Sequence, residues 1–516
     1  MITPGFLRLI TQKSLVLSLR MTPIMTTKGK PVPGARNPCI VSVLHIFSLN
    51  SRDWTWSIVA VGAGQKAPNC SSGLSFKVIW SPSIIKLAMN KGYSFRHMWW
   101  NSFMTTAELL LLGIVSFILI DFAAGRVIDY LNERNKNQPL SPIAAEIYNA
   151  DEYAKSMEYG TAKYKVELLT SVVSTVVMLS AIILGWFAWL DEIIRERFSN
   201  DIAITVVFVG VLIAVSMIGS LPVGYYSTFV IEEKYGFNKT TKKLFVADAI
   251  KNLVLSLAIG LPLLALIALV YQELQSTFWL VGWLLVSAFS LFMFVFGARI
   301  FLPMFNKLKP LPEGELRTEV EEYCQSQGFP LSKLYEMDAS KRSTKLNAFF
   351  SGMGKVKIIG LYDTLIEKLT TKETVAVLAH EVGHYKRKHV YTMFAFSNVQ
   401  TLVIFALMGW LLSNPNLSKA LGSDIPSFHL AILAFFLLFT PVSTVLGLIN
   451  NSFSRHNEYQ ADQYSIDTYP GAREHMYTAL KKLSVESLSN LNPHPVYVAV
   501  HYSHPPILDR LANLKK

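Results

Sequence analysis

Residues 372–412 read KETVAVLAHEVGHYKRKHVYTMFAFSNVQTLVIFALMGWLL. The first half carries His380-Glu381-Val382-Gly383-His384, an H-E-x-x-H pattern, and the second, from 390 to 412, is an apolar run long enough to cross the ~30 Å of a bilayer's hydrocarbon. On a helix, positions four apart share a face, so two imidazoles can bind one zinc ion while the glutamate beside them reaches the attacking water. The motif points to metal-assisted hydrolysis, and the run after it puts that chemistry at a membrane. Taken alone, the same residues also read as a polar helix end with two solvated histidines.

The rest of the chain extends the membrane reading. Hydrophobic residues make up 51% of it against 16% charged, with mean hydropathy +0.34, which selects a polytopic α-helical membrane protein over a row of soluble domains. Seven stretches have spanning length: 105–124, 166–190, 202–227, 252–271, 278–304, 390–412 and 428–450. Arg126, Arg134, Lys136, Lys155, Lys163 and Lys165 lie between the first two, and Lys234, Lys239, Lys242 and Lys243 between the third and fourth. The alternate loops hold only Arg195, Arg197 and Lys419. This positive-inside bias predicts that 305–389 and the C-terminus are cytosolic.

Charge excludes one class of partner. Residues 1–100 carry +11 of the net +12, so the remainder is nearly neutral and offers no basic face for nucleic acid. Those first 100 residues show no sustained period and read as an unassigned basic extension, either a targeting segment or an upstream extension of the gene model with Met98 or Met104 as the start. Cys39, Cys70 and Cys324 lack C-x-x-C spacing and can build neither a disulfide framework nor a thiolate zinc site.

The expected organisation is an extension (1–100), spans one to five (101–304), an insertion with the metal motif (305–389), spans six and seven (390–453) and a C-terminal part (454–516). Within the insertion, Glu315 to Gln327 reads as an amphipathic helix. Leu346–Phe350 and Val356–Leu361 read as strands around the glycine-rich turn 351–355, and Lys372–His389 as the helix bearing the motif. A catalytic zinc needs a third protein ligand. In Asn457-Glu458-Tyr459-Gln460-Ala461-Asp462, Glu458 can complete a His-His-Glu set, and Asp462 on the same helix face can accept the spare N–H of a ligating histidine. The bland alternative is an exposed acidic helix face. His504, pinned by Pro505 and Pro506, is either a donor to a tetrahedral oxyanion or a surface turn residue.

From about 104 to 512 the chain resembles the type I CAAX prenyl endopeptidases, integral-membrane zinc proteases with seven spans. The resemblance rests on Glu232-Glu233-Lys234-Tyr235-Gly236-Phe237-Asn238, Asn347-Ala348-Phe349-Phe350, Gly360-Leu361-Tyr362-Asp363-Thr364-Leu365, the His380–His384 and Glu458–Asp462 motifs, and His504-Pro505-Pro506 with Arg510, in matching order and spacing. It implies seven transmembrane helices with a cytosolic-side gluzincin-type protease domain containing a small β-hairpin or sheet. It also implies one Zn2+ per chain held by His380, His384 and Glu458, with Glu381 and His504 catalytic and Asp462 and Arg510 behind the ligands. A substrate strand at Asn347, Ala348 and Phe349 would align an extended peptide. The implied reaction removes the C-terminal tripeptide from prenylated proteins, in the endoplasmic reticulum membrane of a eukaryote or the inner membrane of a bacterium, with lipid as the other partner.

Two other readings make different demands. A quality-control protease of the HtpX type has about four spans in a shorter chain, and seven are counted here. A non-catalytic seven-span transporter or receptor should lack one of His380, Glu381, His384 or Glu458, and all four are present.

Overall fold

The structure, a computed structural model, describes residues 104–515 other than 137, 139, 354 and 355, together with the backbone of 14–17, 41–49 and 54–62. The chain divides into two units, Met1–Phe103 and Met104–Lys516. In the first, β1 (Ser14–Leu17), β2 (Val41–Leu49) and β3 (Trp54–Gly62) pair antiparallel in that order, where sequence period offered no element. The readings of residues 1–100 as targeting segment or gene-model extension otherwise lie outside the described residues.

The second unit has seven helices long and apolar enough to cross a membrane among the described residues: Thr106–Asn135, Ala150–Ile183, Asp201–Glu232, Lys242–Glu273, Phe278–Phe305, His389–Leu411 and Phe428–Thr468. Each overlaps one of the seven expected stretches. Capping boxes set two starts: Thr105 pairs reciprocally with Glu108, and Asn149 with Glu152. The second span begins earlier and ends sooner than expected. It stops at Ile183 because Gly185 turns left-handed at φ 70°, and Trp186–Arg195 forms a separate helix with Phe187, Asp191 and Ile194 buried and Trp186, Trp189 and Ile193 exposed. The third span closes in a π-helical turn, Ser227–Glu232. Where the spans meet, Ile114, Phe208, Phe278, Phe405, Leu430 and Phe435 form a buried core. Ile120, Leu169, Val176, Ile218 and Val254 face outward, as lipid-facing positions should.

Between spans five and six lies a four-stranded sheet in the order β4-β5-β7-β6: β4 (Leu308–Pro310), β5 (Leu331–Met337), β6 (Ala348–Met353) and β7 (Val356–Tyr362). The expected hairpin is the β6–β7 pair. Its first strand runs on through Ser351, Gly352 and Met353, which ladder against Ile358, Lys357 and Val356. β4 and β5 were absent from the sequence reading. The helix Glu315–Ser326 packs Val320, Tyr323 and Cys324 with Leu361, Leu365, Val375, Leu378 and Val382 into a second core. A third joins Ala144 and Tyr148, from the loop after span one, to Ala376, Met476, Leu480, Leu511 and Leu514. Arg342 tethers the insertion to span four, its Nε and Nη2 donating to the Asp248 carboxylate at 2.8 and 3.0 Å.

Candidate active site

The motif helix runs Thr371–Lys386, three residues short of its expected end. Thr370 and Glu373 form the capping box at its start. It ends because Lys388 adopts a left-handed φ of 61° and span six begins at once with His389. Along its length Val375, Ala376, Leu378, Ala379, His380, Val382 and Gly383 are buried. Gly383 is where the helix crosses span seven most closely: a Cβ there would stand 3.0 Å from the Cβ of Tyr464 and 3.1 and 3.2 Å from the carbonyl oxygen and Cα of Ala461. Glycine therefore sets the distance between the helix with the two histidines and the helix that faces them.

Span seven is one helix from Phe428 to Thr468, so Glu458 and Asp462 stand on the span's own extension. Glu458, Ala461, Asp462 and Ser465 are its buried face there, at spacings of three, four and seven, and Ser465 Oγ donates to the Ala376 carbonyl at 3.0 Å. Glu458 Oε1 lies 3.2 Å from His384 Nε2, and Oε2 lies 3.4 Å from His380 Nε2. The two imidazole Nε2 atoms are 3.1 Å apart. One ligand atom from each of His380, His384 and Glu458 fits within a 4.8 Å span.

Behind this trio sits an ion pair. Arg510 donates from Nη2 and Nε to the two Asp462 oxygens at 2.6 and 2.9 Å, and Asp462 Oδ1 is 2.8 Å from His380 Nδ1. Asp462 is fully buried and can only accept, so His380 carries a proton on Nδ1, which leaves Nε2 as its atom for a metal. Burial opposes charge on Arg510, but Asp462 and Glu458 hold the guanidinium more firmly protonated than usual. Burial likewise works against a charged His380. The neighbouring carboxylates of Asp462 and Glu458 outweigh it and raise the imidazole to about 9 when no cation lies between them. His504 is exposed at the rim, with Nε2 3.4 Å from Glu458 Oε1 and Nδ1 3.0 Å from Ser503 Oγ. Glu381 is half-buried, and its carboxylate makes no hydrogen bond or ion pair among the described residues.

A divalent cation suits this donor set. Two nitrogens on one zinc at about 2.0–2.1 Å with tetrahedral angles stand about 3.3 Å apart, close to the separation found. Glu458 Oε2 is a buried carboxylate oxygen with no hydrogen-bond partner among the described residues, Arg510 Nη1 standing off at 3.5 Å, an arrangement that a cation in front of it would relieve. The proposed substrate strand is placed at the sheet's free side: β6 pairs with β7 alone among the described residues. Asn347 Oδ1 accepts from the Ala348 N–H at 2.9 Å, and the Phe349 side chain is outside the described residues. Gly383, His389 and Gln460 at this site were missed by the sequence reading. For Gly383 the available signal was its place between the two motif histidines, where a helix seldom holds glycine without a packing reason.

Comparison with known proteins agrees along most of the chain. The family model for the CAAX prenyl protease N-terminal region of five membrane helices matches residues 129–307, and that for peptidase family M48 matches 310–516. CAAX prenyl protease 1 of Saccharomyces cerevisiae is 33% identical over 431 residues, 78% of this chain and 94% of that protein. The CAAX prenyl protease 1 homolog of Arabidopsis thaliana is 34% identical over 410 residues, covering 77% and 96%. The crystal structure of S. mikatae Ste24p superposes with a TM-score of 0.73 at 32% identity, covering 78% of this chain and 98% of that one.

Proposed function

The chain belongs to the CAAX prenyl proteases of peptidase family M48, and from that premise we propose that His380, His384 and Glu458 hold a zinc ion with which it cleaves prenylated C-terminal peptides. It is a multi-pass membrane metalloendopeptidase. The observation that carries the site assignment is the convergence of three ligand atoms on a point bordered by a buried Glu458 oxygen that has no hydrogen-bond partner among the described residues. The reading places the protease domain on the cytosolic side and the protein in the endoplasmic reticulum membrane, from the basic loops and the eukaryotic relatives.

When bound, zinc supplies Lewis acidity toward the scissile carbonyl and makes water a competent nucleophile near neutral pH. Glu381, which makes no hydrogen bond among the described residues, takes the proton of the attacking water and delivers it to the leaving amine. His504, on the exposed side of the same trio, donates to the developing oxyanion. Arg510 and Asp462 keep His380 in its orientation while charge changes in front of it. The extended substrate pairs with the free edge of β6, which sets register through backbone hydrogen bonds.

The test compares a farnesylated C-a-a-X peptide with its unmodified twin, below saturation in one detergent. Cleavage after the modified cysteine with the higher kcat/KM for the farnesylated peptide is expected. Equal efficiency would favour the broad quality-control protease. Metal analysis should find about one zinc per chain, lost in Glu458→Ala; full occupancy in that variant would remove Glu458 from the set.

A further inference from the structure

His380 has a carboxylate behind it, but His384 does not. Its Nδ1 lies 3.1 Å from His389 Nδ1, and His389 Nε2 lies 2.9 Å from Gln460 Oε1. Gln460 Nε2 in turn faces His456 Nε2 at 2.9 Å, one helical turn back on span seven. His389 is buried, at 5% exposure, and is held at the first position of span six by the left-handed turn at Lys388. A non-glycine residue is strained at that φ, so the packing around the turn must keep it there.

Hydrogen-bond polarity runs through this line in only one useful direction. The Gln460 carbonyl oxygen accepts from His389 Nε2–H. Neutral His389 then has a lone pair on Nδ1, which accepts from His384 Nδ1–H and leaves the His384 Nε2 lone pair facing Glu458 and His380. Turning the amide over reverses every step: the Gln460 NH2 would donate to His389, His389 would donate to His384, and His384 would present an N–H where a ligand lone pair is required. His456, at the solvent end, gives the Gln460 NH2 an acceptor and so favours the productive orientation.

We propose that His389 and Gln460 are positioning residues that hold His384 in the tautomer able to bind metal, the counterpart on this side of what Asp462 does for His380. The proposal rests on His384 being a metal ligand. It asks for no contact between His389 and substrate.

The test measures zinc affinity by competition with a chromophoric chelator on the full chain in detergent. His389→Ala should weaken zinc about 10–100-fold, the usual loss for removing such a partner, with KM for peptide unchanged and kcat lowered at limiting zinc. His389→Gln, whose carbonyl oxygen can accept from His384, should recover most of the affinity. Gln460 is only half-buried, so its variants separate tautomer control from folding. Gln460→Glu, which can only accept, should match or exceed the parent, and Gln460→Lys, which can only donate, should lose at least tenfold. Equal affinity for Gln460→Glu and Gln460→Lys, or parental affinity in His389→Ala, would overturn the proposal. His384→Ala is the control: zinc retained there would overturn the ligand assignment itself, whereas loss in His384→Ala without loss in His389→Ala overturns the positioning role alone.

Discussion

Span seven carries a buried histidine–carboxylate–arginine cluster at each end, and the two differ in how completely they close. Near its start, His429 Nε2 lies 2.8 Å from Asp191 Oδ1 and its Nδ1 3.2 Å from Thr205 Oγ1. Arg195 Nε donates to both Asp191 oxygens at 3.0 Å, and Ser427 Oγ donates to Oδ2 at 3.4 Å while accepting from Arg195 Nη2 at 2.8 Å. About 29 residues on, or roughly 40 Å along the helix, Glu458 keeps an oxygen without a hydrogen-bond partner among the described residues and faces the Nε2 atoms of two imidazoles. The ingredients are alike, but the first cluster pairs its polar atoms internally, while the second leaves a carboxylate oxygen for which the proposed cation would be the partner. The closed set reads as a clasp between helices, and the open one is the set proposed for chemistry.

The largest effect expected at the open end is from Glu381→Gln. The amide keeps shape but cannot take a proton, so turnover should fall by about 10³ or more with zinc content unchanged. Single-turnover cleavage with parallel metal analysis measures both, and near-parental turnover would mean that another base acts. Next is Gly383→Ala. Its methyl meets backbone atoms of Ala461 that cannot swing aside, so the two helices must part by a few tenths of an ångström. A misplacement of that kind should cost about 10–100-fold in kcat/KM and weaken zinc, while the helices remain folded by circular dichroism.

The third effect is graded. Burial lowers His380, but the carboxylates of Asp462 and Glu458 overcome it and raise the metal-stripped imidazole from 6.5 to about 9. Below about 9, zinc must displace that proton, so its apparent affinity should fall about tenfold for each unit of acidification. The same shift stabilises the metal-stripped fold fully below about pH 6.5, a contribution lost as pH rises through about 9. Chelator competition between pH 6.5 and 9 checks the slope, and a flat profile would contradict it.

The contrast also separates what sequence can and cannot carry. Helical spacing made His380, His384, Glu458 and Asp462 legible, because four-residue intervals map directly onto one face. His389 read as the tail of the motif helix, because nothing in Lys386-Arg387-Lys388 announces a left-handed residue when the usual glycine or asparagine is missing. β5 escaped because its pairing with β7 shifts register between Leu331 and Lys333, which breaks the alternation that identifies a strand. Gly185 ended a span that hydropathy alone carried to 190, since Trp186, Phe187 and Trp189 are apolar enough to prolong the run. The closed cluster joins Asp191, Thr205 and His429, which are too far apart in sequence for any local pattern to connect.

The smallest catalytic effect should come from that closed cluster, and it is the sharpest test of the comparison. His429→Leu keeps most of the volume but removes one of the partners of Asp191 Oδ1 and the partner of Thr205 Oγ1, leaving the Asp191 carboxylate to Arg195 and Ser427. Losing hydrogen bonds among buried groups should cost about 1–3 kcal/mol, seen as a lower melting temperature in detergent. Zinc affinity and kcat/KM per folded molecule should stay within about twofold, because sites this far apart without shared partners act nearly independently. If His429→Leu instead lowered kcat/KM tenfold at full zinc occupancy, the two ends of span seven would be coupled. The buried histidine at the far end would then be part of the working enzyme rather than a clasp that holds its helices together.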